Sequence, residues 1–459
     1  MQLVELLASW KVIENNTLAD LKMNKPLRVA LLGLGTVGSG TFNVLKDNAS
    51  EIERRVGFPI EIKVIADLNT QKARELAGPG VEVLGDAFEA VKRDDIDVVV
   101  ELIGGYTIAK QLVLAAINAG KHVVTANKAL LAVHGDEIFA AAEANNVMVA
   151  FEAAVAGGIP VIKSIKEGLA ANKIEYVAGI INGTCNFILS EMRDKGLAFA
   201  DVLAQAQALG YAEADPTFDI EGVDAAHKIS LLSSLAFGVP VQFDKAYVEG
   251  ITKLTKEDIQ FAEQLGYRVK LLGIAKRTDQ GIELRVHPTL IPGKRLIANV
   301  EGVMNAVLVK ANAVGPTLYY GAGAGSLPTA SAVVADLIEI ARTSQAPLAS
   351  RVPVLAFQKA GIQNLNVLPM EKVVTAFYLR LAVDDKPGVL AEVTRLLADN
   401  QISIEAMIQR QATSEKETAE IVLLTHRCVE GDVNKAIAKI EALDSVHGPL
   451  TRIRVEDLS

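Results

Sequence analysis

Cysteine is nearly absent: two residues, Cys185 and Cys428, occur in 459. They stand far apart and without metal-ligand spacing, which leaves no disulfide framework and fits a reducing cytoplasm. Long apolar runs are also missing, and none reaches the roughly 20 residues of a membrane span. Base is not in excess. A net charge of -9 and a pI near 5.4 argue against a nucleic-acid partner, because phosphate neutralisation needs clustered Lys and Arg. The stretch Met1 to Asn24 carries Glu5 and Lys11 inside its apolar part, so it does not read as a secretory signal. It is set apart as an N-terminal extension, residues 1–24, with no function assigned.

What is present is apolar and periodic. Half of the residues are hydrophobic, enough to fill about three domain cores. Leu27 to Leu32 is an apolar run of strand length that stops at Gly33-Leu34-Gly35-Thr36-Val37-Gly38, the pattern G-x-G-x-x-G. In this context Gly33 permits the tight turn, Gly35 lets backbone approach a pyrophosphate, and Gly38 allows close helix–strand contact. The helix that follows offers unpaired N–H groups and its positive dipole end to the phosphates. A second strand, Ile60 to Ala66, ends at Asp67, where an acid takes ribose hydroxyls and favours NAD. Lys72 and Arg74 follow closely and could instead hold a 2′-phosphate, so the choice between NAD and NADP stays open. Strand Val98 to Ile103, a helix from about Ile108 to Ala119 and strand His122 to Val124 continue the alternation to Thr125-Ala126-Asn127-Lys128. A doubly wound parallel sheet of Rossmann type is expected over 25–150, with Lys128 at a strand end beside the nicotinamide position.

The middle region, 151–317, reads as α+β. Glu152 to Pro160 is rich in small residues, whose accessible carbonyls suit either a monovalent cation or an ordinary loop. Asn182 to Asn186 is a polar turn after a strand. Gly210 to Lys228 then holds five acidic residues and one lysine within 16 positions. If Asp219 caps a helix, Asp224 and Lys228 fall on one face, four residues apart. This is either an exposed ion pair at a helix start or a carboxylate–ammonium site able to hold a zwitterionic amino acid and move a proton. A second glycine loop, Tyr320 to Thr329, feeds a helix to about Arg342 and returns the chain, over about 318–368, to the nucleotide domain. From 372 to 459 the order becomes β-α-β-β-α-β, the ferredoxin-like split βαβ pattern, which fits a small binding or dimerising module.

With these motifs placed, the chain from about Leu27 onward resembles homoserine dehydrogenase in the form carrying a C-terminal ACT domain. The resemblance rests on Gly-Tyr-x-Glu-x-Asp-Pro through Asp224 and Lys228, on Thr-Ala-Asn-Lys at Lys128, and on the turn Asp385-Lys386-Pro387-Gly388-Val389-Leu390. It implies reversible NAD(P)-dependent reduction of L-aspartate 4-semialdehyde to L-homoserine, in the branch leading to threonine, methionine and isoleucine. By that similarity Glu213, Asp219, Asp224 and Lys228 bind substrate. Lys228 protonates the developing alkoxide, with Lys128 close by and Asp224 ordering the site. Gly33, Gly35, Thr36, Val37, Gly38, Asp67, Lys128, Gly183 and Gly325 serve the cofactor. Glu152, Val155, Gly157 and Ile159 match a sodium site, and the ACT turn at Asp385, Gly388, Val389 and Leu390 implies an amino-acid effector, threonine. A homodimer or homotetramer is expected. Two departures from the common pattern are Cys185, where threonine is more usual, and Ala66 before Asp67, where many members have arginine. Two rival readings remain: a semialdehyde dehydrogenase using Cys185 as thioester nucleophile, and a dinucleotide-binding amino-acid sensor without turnover.

Overall fold

The protein is represented by a computed structural model in which residues 25–344, 346–347, 350–410 and 418–459 are described. The expected extension 1–24 and the polar hairpin through Lys416 lie outside the described residues. Among the described residues no helix is long and apolar enough to cross a membrane. The described residues divide into two units, one holding those of 25–125, 140–150 and 333–351, the other those of 126–139, 151–332 and 352–459.

The first unit is built on a parallel sheet of six strands: β1 (Leu27–Leu32), β2 (Ile60–Ala66), β3 (Glu82–Leu84), β4 (Val98–Glu101), β5 (His122–Thr125) and β6 (Val149–Ala150). Their order is β3-β2-β1-β4-β5-β6, the doubly wound order with its switch between β1 and β4. Helices α1 (Thr36–Asp47), α2 (Ala49–Val56), α3 (Thr70–Ala77), α4 (Ala87–Lys92) and α5 (Thr107–Asn118) connect the strands, and α6 (Lys128–Ala144) precedes β6. Strands covered on both faces cannot alternate in polarity, and Val98, Val99 and Val100 are all fully buried. Arg28 of β1 donates through Nε and Nη2 to the Asp97 carboxylate at 2.9 and 2.7 Å, locking β1 to the entry of β4. The last strand, β6, is short and pairs with β5 only at Val149 and Ala150.

The second unit carries a mixed sheet of eleven strands. Its elements in chain order are β7 (Ile174–Ile180), α7 (Gly183–Lys195), α8 (Phe199–Ala208), the single turn α9 (Thr217–Ile220) and α10 (Val223–Phe237). These are followed by β8 (Tyr247–Val248), α11 (Lys256–Gln264), β9 (Tyr267–Thr278), β10 (Gly281–Pro292), β11 (Met304–Ala311), β12 (Gly315–Ala322) and α12 (Ser326–Thr343). The remaining elements are β13 (Val374–Asp384), α13 (Val389–Asp399), β14 (Ile404–Arg410), β15 (Thr418–Thr425), β16 (Cys428–Val429), α14 (Glu430–Glu441) and β17 (Val446–Val455). The main path runs β12-β11-β7-β9-β10-β17-β13-β15-β14. Its last four strands, with α13 and α14, are the ferredoxin-like module, closed over Phe377, Leu379, Val393, Leu397, Leu423 and Ile440.

Strand β17 pairs in parallel with β10 at Thr289–Arg454 and Leu290–Val455, so the sheet of the second unit runs on into the ferredoxin-like module. An open strand edge is a row of unpaired N–H and C=O groups, and here two edges satisfy each other. In the first unit the returning segment is 333–351, and the boundary between the units falls inside α12.

Candidate active site

Helix α10 is the frame. It does not start at Asp219, as the sequence suggested. Asp219 sits inside the one-turn helix α9, and the N-cap of α10 is Gly222, at φ 85°. Only a residue at ease in the left-handed region turns the chain that sharply. A Cβ on Gly222 would also stand 3.1 Å from Val286 and 3.3 Å from Val248. From that start, Asp224 enters the first turn and Lys228 the second, on the same inner face.

The pair they form is buried, not a solvated ion pair. Asp224 is 3% exposed, and the Lys228 ammonium donates to its Oδ2 at 2.6 Å and to the Ile181 carbonyl at 2.7 Å. Lys128, the first residue of α6, brings its Nζ within 3.3 Å of the other oxygen, Oδ1. One carboxylate therefore holds two ammoniums, one on each oxygen. Burial alone would push the Asp224 carboxyl up; Lys228, Lys128 and hydrogen bonds from Lys228 and Asn182 outweigh it and bring it down to about 2. Asp224 is an anion at any pH at which the protein works.

Asn182 links this carboxylate to Asp219. It caps α7 by accepting from the Cys185 N–H at 2.8 Å, and its Nδ2 donates to Asp219 Oδ1 at 2.7 Å and to Asp224 Oδ2 at 2.9 Å. Thr184 Oγ1 also reaches Asp219 Oδ2, at 3.4 Å. Burial, with Asp224 next in size, raises the Asp219 carboxyl above its usual range. The two acids thus diverge, one held ionised and the other easier to protonate. Sequence reasoning noted the turn 182–186 but not Asn182 as the bridge; its signal was an Asn at a strand-to-helix junction. Phe218 was also missed. Its ring centroid lies 5.8 Å from Lys128 Nζ and 5.4 Å from the His227 ring. The His227 imidazole is held down to about 4, chiefly by burial, and its Nδ1 is buried without a partner.

The remaining expected residues are placed less centrally. Glu213 is exposed, in a segment anchored by Gln207 to the carbonyls of Glu213 and Ala214. Cys185 is fully buried, its Sγ donates to the Asp219 carbonyl at 3.2 Å, and burial pushes the thiol up. No thiolate nucleophile is available in that environment. Gly183 is needed for close packing, since a Cβ there would meet the Val303 carbonyl oxygen at 2.8 Å. Gly157 and Gly325 lie in the two small-residue loops, and Gly158 N–H donates to the Ala322 carbonyl at 3.0 Å. The Glu152 carboxylate is buried and accepts the N–H groups of Ile162 and Lys163, both at 2.8 Å. Val155 is buried beside it, and the Ile159 carbonyl accepts from the Val161 N–H at 2.8 Å. In the C-terminal module Asp385 and Gly388 are exposed, whereas Val389 and Leu390 pack on its core.

In the nucleotide unit the glycine turn fits a dinucleotide. A Cβ on Gly38 would meet the Gly33 carbonyl oxygen at 2.0 Å, so helix and strand approach as the motif requires. A Cβ on Gly35, by contrast, would have nothing within 4 Å, leaving the space above the start of α1 at Thr36 and Val37 clear for phosphates. Asp67 accepts the Leu34 N–H at 2.6 Å and the Asn69 N–H at 2.7 Å, and Lys72 Nζ donates to the Leu34 carbonyl at 3.2 Å. Two of the three candidate selectors of the adenosine end, Asp67 and Lys72, therefore contact the turn itself.

A phosphate-ready turn in a doubly wound sheet, together with a buried ammonium–carboxylate cluster, is the equipment expected of an NAD(P)-dependent dehydrogenase. Comparison with known proteins narrows that class. The family model for homoserine dehydrogenase matches residues 160–338, its NAD-binding domain matches 33–152, and the ACT domain model matches 377–445. The homoserine dehydrogenase of Neisseria gonorrhoeae is 61% identical over 95% of this chain and 99% of its own. That of Pseudomonas aeruginosa is 59% identical over 95% and 100%. The crystal structure of a homoserine dehydrogenase from Thiobacillus denitrificans superposes with a TM-score of 0.91 at 63% identity, over 95% of this chain and 99% of that one. The chain belongs to the homoserine dehydrogenase family and is an NAD(P)-dependent oxidoreductase with a C-terminal ACT domain.

Proposed function

We propose that the enzyme interconverts L-aspartate 4-semialdehyde and L-homoserine with Lys228 as proton donor, and that the arrangement of Lys128 and Lys228 about Asp224 is what makes this possible. When bound, the nicotinamide supplies or accepts the hydride. In the reducing direction the hydride adds to the aldehyde carbon and the C=O electron pair moves to oxygen. An N–H bond of the Lys228 ammonium breaks and its proton goes to that oxygen, giving the alcohol and a neutral amine that regains a proton from water. Asp224, ionised throughout, aims the Lys228 ammonium together with the Ile181 carbonyl, and Lys128 adds a second positive charge where the alkoxide develops. Asp219 and Glu213 hold the substrate's ammonium end. The cofactor is held by Gly33, Gly35, Thr36, Val37, Gly38 and Asp67, with Lys128, Gly183 and Gly325. Asp67 favours NAD, and Lys72 could still serve a 2′-phosphate.

Glu152, with the carbonyls of Val155, Gly157 and Ile159, is proposed as the sodium site. The sharp turn at Ala156 and Gly157, with φ of 56° and 52°, supports it by setting those carbonyls out of helix and sheet. The C-terminal module is proposed to take threonine at Asp385, Gly388, Val389 and Leu390 and to feed back on the branch that makes threonine, methionine and isoleucine. A homodimer or homotetramer in the cytoplasm completes the reading. The test is the near-ultraviolet absorbance of reduced nicotinamide, followed with homoserine and either NAD or NADP, each with and without threonine and sodium. Turnover with homoserine alone among hydroxy amino acids, abolished in Lys228→Ala while NADPH still binds, is expected. Unimpaired turnover in that variant would overturn the assignment of Lys228.

A further inference from the structure

The turn that carries Asp219 and leads into Asp224 rests on a short segment from elsewhere in the second unit. Tyr247 and Val248 of β8 pair with Arg285 and Val286 of β10, and the Glu249 N–H donates to the Val286 carbonyl at 2.8 Å. Gly250 lies so close to the turn that a Cβ there would meet the Ile220 carbonyl oxygen at 2.4 Å and Glu221 Cα at 2.5 Å. The Ile251 N–H donates to that same carbonyl at 2.9 Å, and Thr252 Oγ1 donates to Glu221 Oε1 at 3.0 Å. Residues 247–252 thus hold Ile220, Glu221 and Gly222, the three residues between Asp219 and the start of α10.

The segment is in turn gripped by the C-terminal module. Arg454 of β17 is 1% exposed. Its guanidinium donates to Glu249 Oε2 at 2.8 Å and to Tyr247 Oη at 3.1 Å, and lies 4.8 Å from the Tyr247 ring centroid. Its Nε and Nη2 also donate to the Glu430 carboxylate, at 2.8 and 2.5 Å. Tyr247 Oη donates to Glu249 Oε2 at 2.7 Å, closing the ring of contacts. Glu430 alone would neutralise Arg454 within its own module. The second carboxylate and the phenol come from the segment beneath the active-site turn, so the buried cation spans the two.

We propose that Arg454 and Glu249 are positioning residues for the proton site: through residues 247–252 they set the height and angle of the turn that places Asp219 and Asp224. The inference rests on the reading of Asp224 and Lys228 given above. It makes the C-terminal module a working part of the reaction, independent of any effector.

The test uses the full chain with Glu249→Gln, Glu249→Asp, Gly250→Ala and Lys228→Ala. Glu249→Gln keeps the shape of the side chain but loses the ionic grip on Arg454; Gly250→Ala pushes the turn directly. Both should lower kcat with the semialdehyde on the order of tenfold or more, as small misplacements of catalytic groups do. The KM for NADPH should not move, and the enzyme should remain folded by circular dichroism at the assay temperature. Glu249→Asp should recover part of the loss. If Glu249→Gln lowers only Tm, with kcat per folded enzyme unchanged, the contact is merely structural and the proposal fails. Should Gly250→Ala not fold, Glu249→Gln carries the test. Lys228→Ala separates the two layers: full turnover there overturns the site itself, whereas a dead Lys228→Ala beside a normal Glu249→Gln overturns only the positioning role.

Discussion

Lys228→Met keeps most of the side-chain volume and removes the charge, leaving Asp224 with Lys128. At an effective dielectric of about 20, the Asp224 carboxylate attracts an ammonium by about 6 kcal/mol at the 2.6 Å of Lys228 and about 5 kcal/mol at the 3.3 Å of Lys128. Desolvation cancels much of each, so the two single losses should be similar and modest in stability, about 1–3 kcal/mol, below the 3–5 kcal/mol of a fully broken buried pair. The double variant, Lys128→Met with Lys228→Met, removes both ammoniums that pair with Asp224 among the described residues. It should cost more than the sum of the singles, by about 1 kcal/mol or more in a double-mutant cycle read by urea unfolding. Activity should separate the lysines. Losing a general acid should lower kcat by about 10²–10⁴ for Lys228→Met, whereas Lys128→Met should lose less, because the proton donor remains in place. Strictly additive stabilities would refute the shared carboxylate, and equal kcat values for the two single variants would refute the division of roles.

Other outcomes follow from the same geometry. His227 is buried and His122 half-buried, and desolvation holds both imidazoles down to about 4 from 6.5, so both are neutral when folded and take protons more readily when unfolded. Their stability is complete above pH 6.5 and lost as pH falls towards 4, at most about 3 kcal/mol each. Urea midpoints unchanged between those pH values would contradict this. Gly35→Ala should leave Tm intact yet weaken NADPH binding by about tenfold or more in a fluorescence titration, since the added methyl enters only the phosphate space. Gly38→Ala should cost stability as well, because its Cβ collides with the Gly33 carbonyl. Cys185→Ser should retain turnover, and Cys185 in the folded enzyme should resist alkylation; a dead serine variant that still folds would revive a nucleophilic role.

Much of this was legible from the chain. The glycine motif announced itself because its geometry depends on adjacent residues, and the valine runs of β4 and β5 have no other home than a covered sheet. The Asp224–Lys228 spacing was equally local, since four residues bring two side chains together on any helix. Whether that pair was wet or dry was not legible, because burial is decided by β7, β9 and α6, which arrive from distant parts of the sequence. The convergence of Lys128 on the same carboxylate was hidden for that reason. Capping at Gly222 in place of Asp219 was hidden because Asp is the commoner cap, and the left-handed backbone at 222, with Val248 and Val286 close against it, shows why a glycine stands there. The seam between β10 and β17 left no sign at all, as backbone pairing has no side-chain code.

That seam bears on how the molecule is made. Strand β17 lies inside the sheet order, between β10 and β13, although it is the last strand in the chain. A ribosome therefore delivers nearly all of the second unit before the strand that joins its two halves exists. Until Val446–Val455 has been synthesised, both flanking strands wait with open edges, a state prone to wrong partners. Closure must be a late, long-range event, slow by the ordinary cost of bringing distant segments together. Interrupted synthesis or clipping ahead of β17 would then yield sticky fragments and not a smaller working enzyme.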